Sequence, residues 1–215
     1  MDLTQLKTLA RHVGWPRAIA AKGSRKLLDL AHVRVYHVRA TPIDVERAPP
    51  PLAGIRIAPM DRDALLAASR RPELAMPPEF VRAALDNGDV AWGAWDGDRL
   101  VSYVWRTLSA APHRDGILVR VAKPYCYIYK AYTLPEYRGQ RLMPAIVLRS
   151  DPHFAGLGYT HRASFIHACN LASLQSARSL GSRFLGLAGY AEWFGRPRFF
   201  RTRAVRDIGF EFTPG

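Results

Sequence analysis

The sequence predicts an α/β domain with a mixed sheet, on three observations. From residue 55 onward, short strand-like runs alternate with helix-like stretches in the order β-αα-ββ-β-α-β-α-β. One strand-to-helix junction, in YKAYTLPEYRGQRLMPAI (129–146), is a tight loop with one glycine and two arginines. The chain of 215 residues is 48% hydrophobic and 23% charged, which suits one substantial core.

The elements follow in order. LTQLKTLARHV spaces Leu3, Leu6, Leu9 and Val13 as a helix face, and PRAIAAKGSRKLLDLAHVRVYHV continues from Pro16 as a second basic, apolar stretch. ERAPPPLAG (46–54) reads as a linker, so residues 1–50 are expected to be a basic helical extension and 51–215 the main domain. IRIAPMD (55–61) reads as a strand entering a helix capped by Asp61, and PPEFVRAALDNGD (77–89) as a helix ending at Asn87-Gly88. DVAWGAWDGDRLVSYVWRTL (89–108) is a hairpin, and YCYIYKAYTL (125–134) a strand. MPAIVLR starts a helix whose first turn tolerates Pro144, RASFIHACN (162–170) is a strand, LASLQSARSLG (171–181) a helix closed by Gly181, and the remainder late strands.

Charge and cysteines bound the partners. The net charge is +13, of which residues 1–40 supply +6 from eight Lys/Arg and two Asp/Glu. Such a field attracts anions: a polyphosphate, an acidic carrier protein, an anionic membrane or nucleic acid. Cys126 and Cys169 have neither disulfide-framework nor metal-ligand spacing, so a reducing, cytoplasmic setting without metal is expected. No secretory signal or spanning segment of ~18 apolar residues is read.

The loop at 135–143 is an anion seat by its chemistry. A helix N-terminus offers unpaired N–H groups, Gly139 lets the backbone approach a ligand, and Arg138 and Arg141 suit phosphate geometry. PEYRGQRLMPAI resembles the pyrophosphate loop between strand 4 and helix 3 of the GNAT superfamily of acyl-CoA N-acyltransferases, often written (Q/R)xxGx(G/A). NLASLQSARSLG resembles the same family's motif after strand 5, with Asn170 opening the helix, Ser173 following and Gly181 closing it. The resemblance covers about 150 residues. It implies a GNAT-like fold, with a mostly antiparallel, splayed sheet flanked by helices.

The resemblance also implies a site. Amides of Arg138, Gly139, Gln140, Arg141, Leu142 and Met143 would hold the pyrophosphate of acetyl-CoA or a longer acyl-CoA. Main-chain groups near Thr133 and Leu134 would meet the pantetheine arm between strands 125–134 and 162–170, with Asn170 and Ser173 beside the thioester. An amine or hydroxyl of a small, anionic or neutral acceptor would attack the thioester directly. Three departures stand out: Arg141 and Met143 replace the usual small residues, Ala177 stands where a tyrosine acid is frequent, and Pro152 predicts a short or kinked helix.

Candidates for the chemistry each have a plainer reading. His167 suits a base with its ordinary pKa near ~6.5, but a histidine packed and hydrogen-bonded within the sheet is the reading preferred from the sequence. Glu136 is either a base or a loop carboxylate balancing Arg138. Tyr129, on one strand face with Tyr127 and Thr133, is a proton donor or a core aromatic, with Tyr190 as another donor. Lys130, on the opposite face, reads as solvated or ion-paired. RPRFFRTRAVRD (196–207) carries five arginines beside Phe199 and Phe200, read as an amphipathic strand in preference to a nucleic-acid site. Acyl transfer from CoA leads; a carrier-protein donor, a non-catalytic acyl-CoA or membrane module (through residues 1–50, peripheral at the inner membrane face), and an oligomer remain open beside it.

Overall fold

The pattern in VAWGAWDGDRLVSYVWRT becomes a hairpin: β3 (Val90–Asp96) and β4 (Arg99–Thr107) pair antiparallel about a turn at Gly97. The computed structural model describes residues 14–47, 53–114, 116–179 and 181–215. They fall into two compact units, one of residues up to 41 with 113–120 and 163–215, the other of 42–112 with 121–162. The helix expected over Leu3–Val13 and part of the expected linker lie outside the described residues.

The second unit holds the hairpin. β2 (Ile55–Pro59) pairs with β3, and β7 (Tyr125–Thr133) with β4, all antiparallel, in the order β7-β4-β3-β2. Between them in sequence lie α2 (Arg62–Ser69), a single 3₁₀ turn (Pro72–Leu74) and α3 (Pro78–Asp86), and α4 (Leu142–Gly156) follows β7. Asp61 caps α2 as expected, its Oδ1 accepting from the Ala64 N–H at 2.8 Å. The core is one cluster including Leu65, Val81, Tyr103, Trp105, Leu142 and Ile146, all buried. Each large apolar side chain so buried contributes roughly 1.5–3 kcal/mol. Gly93 makes that packing fit: a Cβ there would lie 2.6 Å from the Trp95 ring. α4 continues past Pro152 and is 15 residues long, so the expected shortening does not occur. A proline within a helix removes one backbone bond, and burial of Ile146, Val147 and Phe154 on its flanks holds the helix regardless.

The first unit begins with α1 (Trp15–Leu30) and β1 (Val33–Pro42). Residues 33–42 therefore form a strand where a helical extension was expected. The signal was the alternation Val33, Val35 among β-favouring residues, overlooked beside the basic run before it. β1 pairs antiparallel with β9 (Arg183–Trp193), Val33 opposite Ala191, and the order is β10-β9-β1-β8, with β8 at His161–His167 and β10 at Arg196–Arg201. β8 ends three residues sooner than expected, because residues 168–170 turn into α5 (Leu171–Ser179). The late segment holds a short helix, α6 (Arg203–Asp207), and β11 (Glu211–Pro214), paired with β6 (Ile117–Arg120); β5 (Ala110–Pro112) belongs to the second unit. Tyr36, Tyr190, Phe210 and Phe212 are buried in the first unit, with Phe165 in edge contact with Tyr36 and Phe212.

Candidate functional site

The loop after β7 is built by a chain of local bonds within the second unit. Leu134 is buried, its N–H donates to the Val101 carbonyl at 2.9 Å, and its carbonyl accepts from the Tyr137 N–H at 3.0 Å. The Leu134 N–H is thus engaged inside the protein, whereas its carbonyl oxygen keeps a second lone pair. The strand pairing that continues to Thr133 on Ser102 is the reason the N–H is engaged.

A 3₁₀ turn (Pro135–Tyr137) follows and is laced to the β3–β4 hairpin. The Tyr137 hydroxyl donates to Asp96 Oδ2 at 2.7 Å, and Arg99 Nη2 donates to Glu136 Oε1 at 2.6 Å. Glu136 therefore pairs with Arg99, not with Arg138 as the sequence reading had it. A hydrogen bond from its own backbone, then Arg99, holds its carboxyl below the ordinary range, so it is an ionised, partnered group and not a poised base. Asp96, Arg99 and Tyr137 were missed by sequence reasoning, since only the hairpin's geometry brings them to the loop.

Beyond the turn the chain opens. The Arg138 N–H donates to the Pro135 carbonyl at 3.2 Å, which removes it from the expected cradle, and Arg138 Nε reaches back to the Thr133 carbonyl at 3.3 Å. Gly139 has φ 83°, and Arg141, at the N-cap of α4, has φ 58° and ψ 29°. The first bond closed on the α4 cap runs from the Ala145 N–H to the Arg141 carbonyl at 3.1 Å, so the amides of Leu142 and Met143 precede the helical ladder. Pro144 brings no amide to this turn. A hollow of about 270 Å³ lies here, lined by Thr133, Tyr137, Arg138, Gly139, Arg141, Leu142, Met143 and Pro144. Arg141 is exposed and does not fill it. The left-handed backbone at 141 is a conformation that glycine adopts most freely.

The other candidates do not line this hollow or are otherwise engaged. Gln140 is an exposed loop residue. Tyr129 is tied to Asp89: its hydroxyl donates to Asp89 Oδ2 at 2.8 Å, and burial, then the Asp89 charge, raises the phenol far above its ordinary value. That weakens it as a proton donor. Asp89, pushed up by burial and also bonded by Asn87 Nδ2 at 2.7 Å, was not singled out in the sequence. Among the described residues Lys130 enters no ion pair, and it is not fully solvated; its Nζ lies 4.2 Å from the Phe80 ring centroid, and burial lowers its pKa.

His167, Asn170 and Ser173 belong to the first unit. Asn170 Oδ1 accepts from the Ser173 N–H at 3.2 Å, so the pair caps α5. His167 Nδ1 accepts from the Cys169 N–H at 3.2 Å, which places the proton of the neutral ring on Nε2 and occupies the lone pair a base would use. Burial, then Arg25, lowers the His167 pKa, and burial, then Arg39, lowers that of His37. A lowered folded-state pKa contributes stability that is present above the ordinary 6.5 and is lost as pH falls through the folded value. Thermal melts from neutral to mildly acidic pH should therefore show a falling midpoint, flattened in the His167→Gln, His37→Gln double variant. An unchanged slope in that variant would place the acid sensitivity elsewhere.

Among the described residues no His, Cys, Asp and Glu cluster could hold a metal ion. No model of a known family matches the chain, and no curated protein does. Solved structures do. A putative acetyltransferase of the GNAT family from Novosphingobium aromaticivorans is 19% identical, with 71% of this chain and 61% of that one covered and a TM-score of 0.47. A GNAT family acetyltransferase from Brucella melitensis, in complex with acetyl-CoA, is 13% identical, with 49% and 71% covered and a TM-score of 0.38. An aminoglycoside 6'-N-acetyltransferase from Acinetobacter baumannii is 15% identical, with 60% and 90% covered and a TM-score of 0.43. This chain spans less than two thirds of the first of these.

Proposed function

We propose that the chain transfers an acyl group from a CoA thioester to an amine or hydroxyl of a small acceptor by direct attack. The observation that carries this reading is the front of α4: successive amides ahead of the helical ladder, an open hollow, and the Arg138 and Arg141 side chains beside it. Helix-front amides with guanidinium groups are a seat for a diphosphate. In the reaction the acceptor's lone pair adds to the thioester carbonyl, the C–S bond breaks, and the thiolate takes up the proton the acceptor sheds. The acetyl-CoA in the Brucella structure makes that donor the first to test.

The chain should melt later with acetyl-CoA or desulfo-CoA, by about 2.7 kcal/mol of added stability at a hundred times Kd. Free-thiol release with a panel of amines then separates a catalyst from a binder. No shift with either CoA compound, or with a long-chain acyl-CoA, would remove the assignment.

A further inference from the structure

We propose that one edge of the first unit, formed by α1 and the β9–β10 turn, adsorbs to an anionic lipid bilayer. The helix is inside out. Its face towards the unit carries Ala21, which is buried, and Leu28, seven residues on, which is half-buried. The opposite stripe carries Trp15, Ile19, Leu27 and Leu30, exposed by 53, 58, 68 and 78%. Ile19 and Leu30 are about three turns apart and so share a face. A soluble surface helix is expected to hide that stripe.

The hairpin repeats the pattern. Trp193 pairs with Arg196, leaving Phe194 and Gly195 as a two-residue loop with φ 50° and 71°. Two positive φ values in a two-residue hairpin loop favour Asn-Gly. Phenylalanine there costs roughly 1–2 kcal/mol in backbone strain, yet the residue is 95% exposed. Trp193, 67% exposed, lies 6.3 Å from it, ring centroid to centroid. Local stability is given up and an aromatic pair is held in water.

The two features share one edge. The Glu192 N–H donates to the His32 carbonyl at 3.0 Å, which sets the residue before Trp193 against the end of α1. Charge chooses the occupant. Lys22, Lys26, Arg196 and Arg198 are exposed around this edge and enter none of the described ion pairs, whereas Asp29 is shared by Arg25 and Arg34. Unspent cations bordering exposed Trp, Phe and Leu match an anionic headgroup layer over its acyl boundary. No helix among the described residues is long and apolar enough to span, so adsorption is the mode.

The test is flotation of the full chain with vesicles of phosphatidylcholine alone or with phosphatidylglycerol, at low and high salt. Binding is expected to the anionic vesicles, weakened by salt, and about 10-fold weaker in the Trp193→Ser, Phe194→Asn variant. Asparagine accepts the left-handed turn, so that variant keeps its hairpin, its melt should equal or exceed the parent's, and its response to acetyl-CoA should match the parent's. The proposal is overturned by absence of flotation, by equal flotation of the variant, or by self-association without lipid that the variant abolishes. The acyl-transfer reading can fail without affecting this outcome.

Discussion

Replacing Asp151 with alanine is expected to cost about 3–5 kcal/mol of folding stability, the largest single-residue effect on the second unit. Asp151 is fully buried on α4, and two guanidinium groups converge on it: Arg106 Nη2 donates to Oδ1 at 3.0 Å and Arg162 Nη1 to Oδ2 at 2.9 Å. Arg106, from β4, is 1% exposed and also donates to the Val147 carbonyl and Ser150 Oγ, both at 2.8 Å, with its charge 4.3 Å from the Phe154 ring centroid. Its Nε is buried without a partner. Removing the carboxylate leaves a buried cation that nothing neutralises. Asp151→Asn should lose most of the same stability, because the amide restores shape but not charge. Arg106→Met with Asp151→Leu should recover part of it, since Arg162, whose side chain is 11% exposed, keeps its bond to the Pro42 carbonyl at 3.0 Å. Denaturant titrations of the three variants decide; an Asp151→Ala loss under about 1 kcal/mol would show the charges to be solvated in solution.

That pin links fold to site, and it also shows what the sequence could tell. α4 carries the hollow at its front and Asp151 two turns behind, so the ion pair fixes the helix on which the proposed anion seat depends. The β3–β4 hairpin, β7, the Asp61 cap and the loop at 135–143 were legible because each follows from local chemistry: alternation, a side-chain acceptor before a helix, a glycine before free amides. The ion pair was not, although an arginine inside the apolar run VSYVWRTL was the available sign. Pairings distant in sequence, such as Tyr129 with Asp89 and Glu136 with Arg99, depend on register, which no local rule supplies. β1 was missed for a related reason: its pattern is that of a strand, but its partner β9 lies far along the chain.

At Arg141 stability and affinity are expected to move independently, and this is the largest effect predicted on the site. The residue sits at φ 58° with its side chain exposed, so it bears the strain of a left-handed backbone without a packing reason. Arg141→Gly removes a backbone cost of about 1 kcal/mol, partly offset by the greater freedom of glycine in the unfolded chain. Its melting point should therefore equal or exceed the parent's. CoA affinity should fall, because a charge-assisted bond to phosphate contributes about 1.5–3 kcal/mol, or roughly 10- to 150-fold in Kd. Arg141→Ala separates the two effects, keeping the strain while losing the guanidinium. Arg141→Glu places an anion against the diphosphate and should weaken binding by about 100-fold or more, with the deficit shrinking at high salt. Calorimetric titration with CoA, beside thermal melts of the same samples, reads both quantities. If all three variants bind as the parent does, the guanidinium is not at the phosphate and the seat must be sought elsewhere. If they fold less well instead, the left-handed turn is stabilised by the arginine itself.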